Sequence, residues 1–326
     1  MKEIRLDRNE MPYRPPKRVL LAAEVSLSNL NRYTERTDME NLRTLLAKYA
    51  DVSRERIIVG PGSELLLREI IHTFSAERKV ITVNPTFLPT LQAAKQVARK
   101  LTKIQITPPE FAIHSEVLER EISEPCLVII DNPNNPTGTL LLDEERVRQI
   151  VEHPEVVLVI DEAYYEFSGV TYAPLVEEYP NLVITRTIDK ALSLAGARVG
   201  YLIGGTAVLD AVSSFWTFLP QPSLHATLEA LKDPGYSRKN IRKITEERRR
   251  VGEELREIGV DVYPSSTNFL LIKTKVPDLG KKLEDRGILV LDLSAYWLPS
   301  FIRVSIGKPE ENDIFLSEMQ KMLKPQ

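Results

Sequence analysis

One cysteine among 326 residues, Cys126, leaves the chain without an internal disulfide framework and fits a reducing compartment. It lies in "CLVII", an apolar run, where a thiol reads as a small buried hydrophobe and not as a nucleophile. Histidine is also scarce. His72, His114, His153 and His225 are scattered with no pair at metal-ligand spacing, which argues against a zinc site and leaves no metal to expect. No stretch approaches the ~18 consecutive apolar residues of a membrane span. The opening "MKEIRLDRNE" lacks the apolar segment of a signal peptide. A soluble, cytoplasmic protein with no membrane partner is therefore expected.

An excess of one charge is missing too: 43 basic residues against 46 acidic ones give a net charge of −3. That balance offers no electrostatic basis for binding nucleic acid. The densest basic run, "RKITEERRRVGEEL", alternates with glutamate and reads as a solvated helix face. With 43% apolar and 27% charged residues, disordered and fibrous classes are excluded, and the sequence shows no repeats or low-complexity tracts.

Short β-branched runs alternate with helical patterns through the first two thirds. "KVITV" (79–83), "CLVII" (126–130), "VVLVI" (156–160) and "LVIT" (182–185) are apolar throughout, as strands buried on both faces must be. Between them "DEERVRQIVE" places Val147, Ile150 and Val151 on one helical face, with Asp143 set to cap it. Strands of this kind separated by helices predict an α/β fold with a mainly parallel sheet sandwiched by helices. After "KDPGYS" (232–237) the pattern changes to one long helix (Ile241, Ile244, Val251, Leu255, Ile258) and strands at "NFLLIKT", "ILVLDL" and "FIRVSI". The expected organisation is an N-terminal arm (1–30), a large domain (31–235) and a small α+β domain (236–326). The arm, "RNEMPYRPPKR", is too proline-rich for a helix and is expected to cross the surface in extended form.

Chemistry concentrates where these strands end, the edge at which open α/β sheets bind ligands. "DNPNNPTG" (131–138) follows one strand with a proline-stiffened turn and the Asn135 amide. "VVLVIDEAYYEF" delivers Asp161 from a buried strand, a carboxylate that needs a partner, with the Tyr164 phenol three residues on. "RTIDKALSLAGARVGY" places Lys190 just past a third strand, where desolvation and nearby cations make an amine nucleophilic toward carbonyls. Arg198, flanked by Gly196 and Gly200, suits a fixed grip on phosphate. Each residue alone has an ordinary reading, such as a turn, an ion pair or a surface lysine. Their succession at strand ends does not.

In these motifs the chain resembles the class I/II aminotransferases, which use pyridoxal phosphate (PLP) on the type I fold, and within them it is most similar to the histidinol-phosphate subgroup. The likeness runs from "RNEMPY" to "RVSIGKPEEND" and rests on "NPNNPTG", "DEAYYEF" and "K…LAGARVGY". It implies a large PLP-binding domain with a smaller C-terminal one. It also implies that Lys190 holds PLP as a Schiff base and shuttles a proton, Asp161 pairs with the pyridine nitrogen, and Asn135 and Tyr164 contact the ring oxygen. Phe87 would stack on the ring. Gly62, Ser63 and Glu64 of "GPGSELLLREI", with Thr187 and Arg198, would cradle the phosphate; a glycine-rich turn opening a helix suits an anion. Tyr33 would reach the phosphate of a second subunit, making the protein a homodimer with shared sites. Arg303 would clamp the acidic group of the substrate, with Asn268, Tyr13 and Asn9 at the mouth. The implied reaction moves the amino group of histidinol phosphate to 2-oxoglutarate. The alternatives are an aromatic or aspartate-type aminotransferase, a threonine-phosphate decarboxylase, and a non-catalytic PLP-binding paralogue.

Three positions depart from the family pattern. Asp189 stands before the lysine where serine is usual, Leu291 where the subgroup carries arginine, and Thr90 where an aromatic is common. A carboxylate beside a phosphate dianion repels it, so Asp189 is expected to point out of the cradle.

Overall fold

The computed structural model describes residues 3–122, 124–212 and 218–323. After β1 (Ile4–Arg5) the chain forms α1 (Lys17–Ser26), α2 (Arg36–Ala50), β2 (Ile57–Gly60) and α3 (Ser63–Phe74). There follow β3 (Lys79–Asn84), α4 (Leu88–Val97), β4 (Leu101–Gln105), α5 (Ser115–Glu121), β5 (Cys126–Asp131), α6 (Glu144–Val151) and β6 (Val156–Asp161). Next come α7 (Tyr165–Ser168), β7 (Leu182–Thr187), β8 (Gly200–Gly204), α8 (Thr206–Val212), α9 (Gln221–Lys232) and α10 (Gly235–Glu257). The C-terminal part comprises β9 (Asp261–Val262), β10 (Phe269–Lys273), α11 (Leu279–Glu284), β11 (Ile288–Leu289), β12 (Leu291–Asp292), β13 (Phe301–Ser305) and α12 (Pro309–Leu323).

Seven strands form the central sheet in the order β2-β8-β7-β6-β5-β3-β4, parallel except for β8, which runs against both its neighbours. The four apolar runs of the sequence are β3, β5, β6 and β7, each buried along its whole length. Alternation across the strands sorts them into two faces. Leu127, Ile129, Val157, Val159 and Val183 pack on Leu66, Leu67, Ile70 and Ile71 of α3. Val128, Ile130, Leu158, Ile160, Leu182 and Ile184 pack toward Leu42 and Leu46 of α2 and Leu224 of α9. Removing such side chains from water stabilises by about 1.5–3 kcal/mol each. Asp143 caps α6, accepting from the Arg146 amide at 2.8 Å. Cys126 is fully buried, and burial pushes its thiol up to about 11.

A second sheet, in the order β12-β13-β10-β9, is antiparallel. Leu270, Ile272, Ile302 and Val304 face Ile244, Val251 and Leu255 of α10 and Phe315, Leu316 and Met319 of α12. The opposite face carries Leu271, Arg303 and Leu291 in direct cross-strand register and meets Val83, Ile106 and Phe111 of the central-sheet region.

Two expectations need correction. "ILVLDL" is not one strand: Ile288–Leu289 pairs in parallel with β1, whereas Leu291–Asp292 pairs with β13. The N-terminus causes the split, because Leu6 donates to the Leu289 carbonyl and accepts from the Ser305 amide, both at 2.8 Å, wedging between the two edges. Nor does the N-terminal arm lie wholly on the surface. It forms no helix before α1, but Leu6 and Asn9 are buried, and Asn9 adopts a φ of 54°, a region asparagine tolerates. Burial of so polar a segment is compensated by hydrogen bonds to residues distant in the sequence.

Candidate active site

The odd-numbered ends of β5, β6 and β7 emerge on the α3 face, which brings Asp131, Asp161 and Thr187 to one edge. There they line a cleft with about 580 Å³ of open space, together with Ser63, Glu64, Phe87, Pro133, Asn135, Ala163, Tyr164, Asp189, Lys190 and Arg198. Gly62 stands immediately before Ser63 with a φ of +91°, and a Cβ there would lie 2.9 Å from Arg198 Nη2. Gly200 is needed for close approach: any Cβ would collide with the Ser63 amide. The first turn of α3 and its unsatisfied amides are thus presented beside Arg198 and Thr187. The Glu64 carboxylate turns to Arg68 at 3.2 Å.

Asp161 is the buried carboxylate of the cleft. Its Oδ1 accepts from Thr185 Oγ1 at 2.9 Å, and Thr185 is its register partner on β7. Desolvation, with the negative charge of Asp131 behind it, pushes the acid up to about 7. Asp131 is held by Thr86 and Asn134 at 2.9 Å and by the Asn135 amide at 2.7 Å, and burial raises it to about 6. Among the described residues no cation is bonded to either Asp131 or Asp161, so these two raised carboxylates favour a positively charged group in the cleft.

Lys190 reaches the cleft from beyond β7, its Nζ donating to the Arg8 carbonyl at 3.3 Å. Burial lowers its pKa to about 8 against the opposing pull of Asp189. About a tenth of the amine is then unprotonated at pH 7, far more than for a solvated lysine, as a nucleophile toward carbonyl carbon requires.

At the mouth, Arg303 Nη1 donates to Asn135 Oδ1 at 2.5 Å and Nη2 to the Asp7 carbonyl at 2.6 Å, while its Nε is buried without a partner. Asn9 joins three elements: its side chain donates to Tyr164 Oη at 2.8 Å, its amide donates to Ser305 Oγ at 2.8 Å, and its carbonyl accepts from Asn268 at 2.9 Å. Burial pushes the Tyr164 phenol up to about 12, keeping it a neutral donor.

Most residues selected from the sequence meet in or beside this cleft. Tyr13 does not. Its ring lies under Lys243 Nζ at 4.8 Å, in a separate groove with Glu247, Lys308 and Glu310. Tyr33 lies outside the cleft of its own chain, exposed and stacked on Phe218 at 5.1 Å. Thr90 is buried within α4. Asp189 contradicts expectation outright. It lies in the cleft wall, almost fully buried, with Oδ2 paired to Arg198 Nη1. A carboxylate at this depth requires a cation, and Arg198 is the one its position offers. Sequence reasoning overlooked Asp131, although "DNPNNPTG" begins with it at a strand end, as Asp161 ends its own. It also missed Thr185, Ser305 and the Asp7 and Arg8 carbonyls, for which no local signal exists.

Loops at the carboxyl ends of a parallel sheet here gather an amine of lowered basicity, a buried acid and a helix N-terminus beside an arginine, groups suited to carbonyl chemistry next to an anion. The aminotransferase class I and II family model matches residues 1–319, and the chain belongs to that family. It is 35% identical to the histidinol-phosphate aminotransferase of Sulfurisphaera tokodaii, across 98% of this chain and 90% of the relative. To that of Thermococcus gammatolerans it is 36% identical, across 98% and 92%. The crystal structure of histidinol-phosphate aminotransferase from Sinorhizobium meliloti in complex with pyridoxal-5'-phosphate shares the fold, with a TM-score of 0.87 at 24% identity over 99% of this chain and 91% of the other. The chain is an aminotransferase.

Proposed function

We propose that this protein transfers the amino group of histidinol phosphate to 2-oxoglutarate with pyridoxal 5'-phosphate as cofactor. The observation that carries the reading is the meeting, in one cleft, of the Lys190 amine, the buried Asp161 carboxyl and the Gly62–Ser63 cradle facing Arg198. The residues fit the cofactor, because the raised Asp161 lacks a cation that a pyridine nitrogen supplies, and glycine at 62 leaves room beside Arg198. When bound, PLP supplies an aldehyde that takes up the amino group and a ring that accepts electron density from the substrate. Lys190 Nζ would hold the cofactor and later carry the proton from the substrate α-carbon. Asp161 would keep the ring nitrogen protonated, Asn135 and Tyr164 would hydrogen-bond the ring oxygen, and Phe87 would pack on the ring. Ser63, the Glu64 amide, Thr187 and Arg198 hold the phosphate. Arg303, steadied by Asn135 and joined by Asn9 and Asn268, receives the acidic group of the substrate. Identity of 35–36% to histidinol-phosphate aminotransferases along nearly the whole chain supports that donor.

A second reading, an aromatic or aspartate-type donor, is favoured by one observation: Leu291 and Leu271 flank Arg303 in register, so the clamp has no second arginine beside it on this sheet. A panel of amino donors with glutamate formation as readout separates the two. Turnover of phenylalanine or aspartate with none of histidinol phosphate would overturn the first reading, and carbon dioxide release from threonine phosphate would overturn both.

The reading includes a homodimer. Leu20, Leu21, Val25, Leu27, Leu30 and Tyr33 are exposed apolar side chains concentrated in one short segment, which fits a self-complementary interface through which Tyr33 reaches the second site. Among the described residues no helix is long and apolar enough to cross a membrane, and one buried thiol fits the cytoplasm.

A further inference from the structure

The phosphate cradle already contains an anion of its own. Asp189 Oδ2 accepts from Arg198, the Asp189 amide donates to Thr187 Oγ1 at 3.1 Å, and Asp189 Oδ1 is buried with no hydrogen-bond partner. Arg198 is therefore neutralised before a ligand arrives. The other donors, Ser63, Thr187 and the α3 amides, carry no formal charge. The remaining charged groups facing this corner do not restore the balance. Glu64 is paired with Arg68, Asp161 and Asp131 add negative charge deeper in the cleft, and Lys190 is the only other cation lining it among the described residues.

A phosphate dianion can enter in two ways. Arg198 can leave Asp189, stranding a buried carboxylate without its cation. Alternatively, one proton from solvent can settle between the carboxyl and a phosphate oxygen, which removes the repulsion and gives Oδ1 its missing partner. The second route discards nothing already formed.

We propose that Asp189 makes phosphate capture proton-coupled, so that this site takes its cofactor together with one proton shared between the Asp189 carboxyl and the phosphate. The proposal rests on the cofactor reading above. Burial already raises the Asp189 acid, and a phosphomonoester gains its second proton near pH 6, so the shared proton requires only modest shifts. Affinity then weakens about tenfold per pH unit above neutrality.

The test uses pyridoxamine phosphate, which cannot condense with Lys190, titrated calorimetrically into the cofactor-free full chain between pH 6.5 and 8.5. Pairs of buffers with different ionisation heats count the protons. Wild type is expected to take up about one proton more than Asp189→Asn, and the Asn variant to bind at least tenfold tighter at pH 8.5. Asp189→Ser serves if the Asn variant fails to fold. Repetition in a Lys190→Ala background removes titration of the amine, and there the wild-type count with pyridoxamine phosphate must exceed that with pyridoxamine. Equal counts and equal pH slopes with and without Asp189 overturn the proposal. Failure of PLP to form a borohydride-reducible linkage at Lys190 would instead overturn the cofactor reading.

Discussion

Arg186→Met isolates the buried ion pair on which the floor of the cleft depends. The Arg186 and Glu162 side chains are 1% and 0% exposed, and Glu162 Oε2 receives Arg186 Nη2 at 2.8 Å and Nε at 3.0 Å. Thr171 Oγ1 donates to the same carboxylate at 2.8 Å and the Tyr172 amide at 2.6 Å, while the guanidinium stacks 3.6 Å from the Tyr165 ring centroid. Methionine preserves bulk but leaves Glu162 two neutral donors and no cation. Removing one partner of such a pair costs about 3–5 kcal/mol, and the lost stacking adds up to about 2. At roughly 2–4 °C per kcal/mol, a loss of about 3–7 kcal/mol should lower the melting temperature by about 6 °C or more. Scanning calorimetry of the cofactor-free chain measures the fall. The double variant Arg186→Met/Glu162→Leu should recover most of it, since well-packed apolar pairs replace buried charges at little cost. A drop under about 2 °C, or a double variant no better than the single, would refute the reasoning. The pair also matters to the cleft: Glu162 follows Asp161 and Arg186 follows Thr185, so it fixes from below the register that holds the Asp161 carboxylate above.

Three further outcomes are expected. Lys190→Ala should abolish borohydride-reducible PLP attachment, and in wild type the attachment rate should rise with pH to a half-point near 8; a half-point above 10 would mean the amine is not desolvated. Raised acids at Asp161 and Asp131 mean that the cofactor-free folded chain binds more protons than the unfolded one between roughly pH 4 and 7. Their contribution to stability therefore falls as pH rises through that window, and wild type should lose up to about 4 kcal/mol relative to Asp161→Asn; parallel melting curves from pH 5 to 7.5 would refute this. Leu291→Arg places a second guanidinium beside Arg303 and should raise kcat/KM for phosphorylated over aromatic donors by about tenfold, the scale of one charged hydrogen bond. No change in that ratio would show that position 291 does not face the substrate.

How much of this was legible in the sequence depended on whether the information was local. β3, β5, β6 and β7 could be read because burial on both faces demands uninterrupted apolar runs, and the groups at their ends could be read because a buried strand has few reasons to finish on Asp161. β8 was not: "GYLIG" is bounded by glycine, and Gly200 is small because the Ser63 amide lies against it, a reason located 137 residues upstream. The same holds at the mouth of the cleft. Asn9 is buried because Ser305, Tyr164 and Asn268 satisfy it, and "ILVLDL" breaks because Leu6 reaches two sheets at once. Asp189 shows how the two kinds of information interact. Its charge could be read and its conflict with phosphate followed, yet the inferred outward orientation was wrong. Repulsion from a ligand competes with the cost of an unpaired buried carboxylate, and Arg198, held at a φ of 52°, resolves that competition inside the cradle. A charged residue beside a binding site thus takes its orientation from the protein's own cations first. The ligand must then adapt to a pairing already made, by exchanging partners or by bringing a proton.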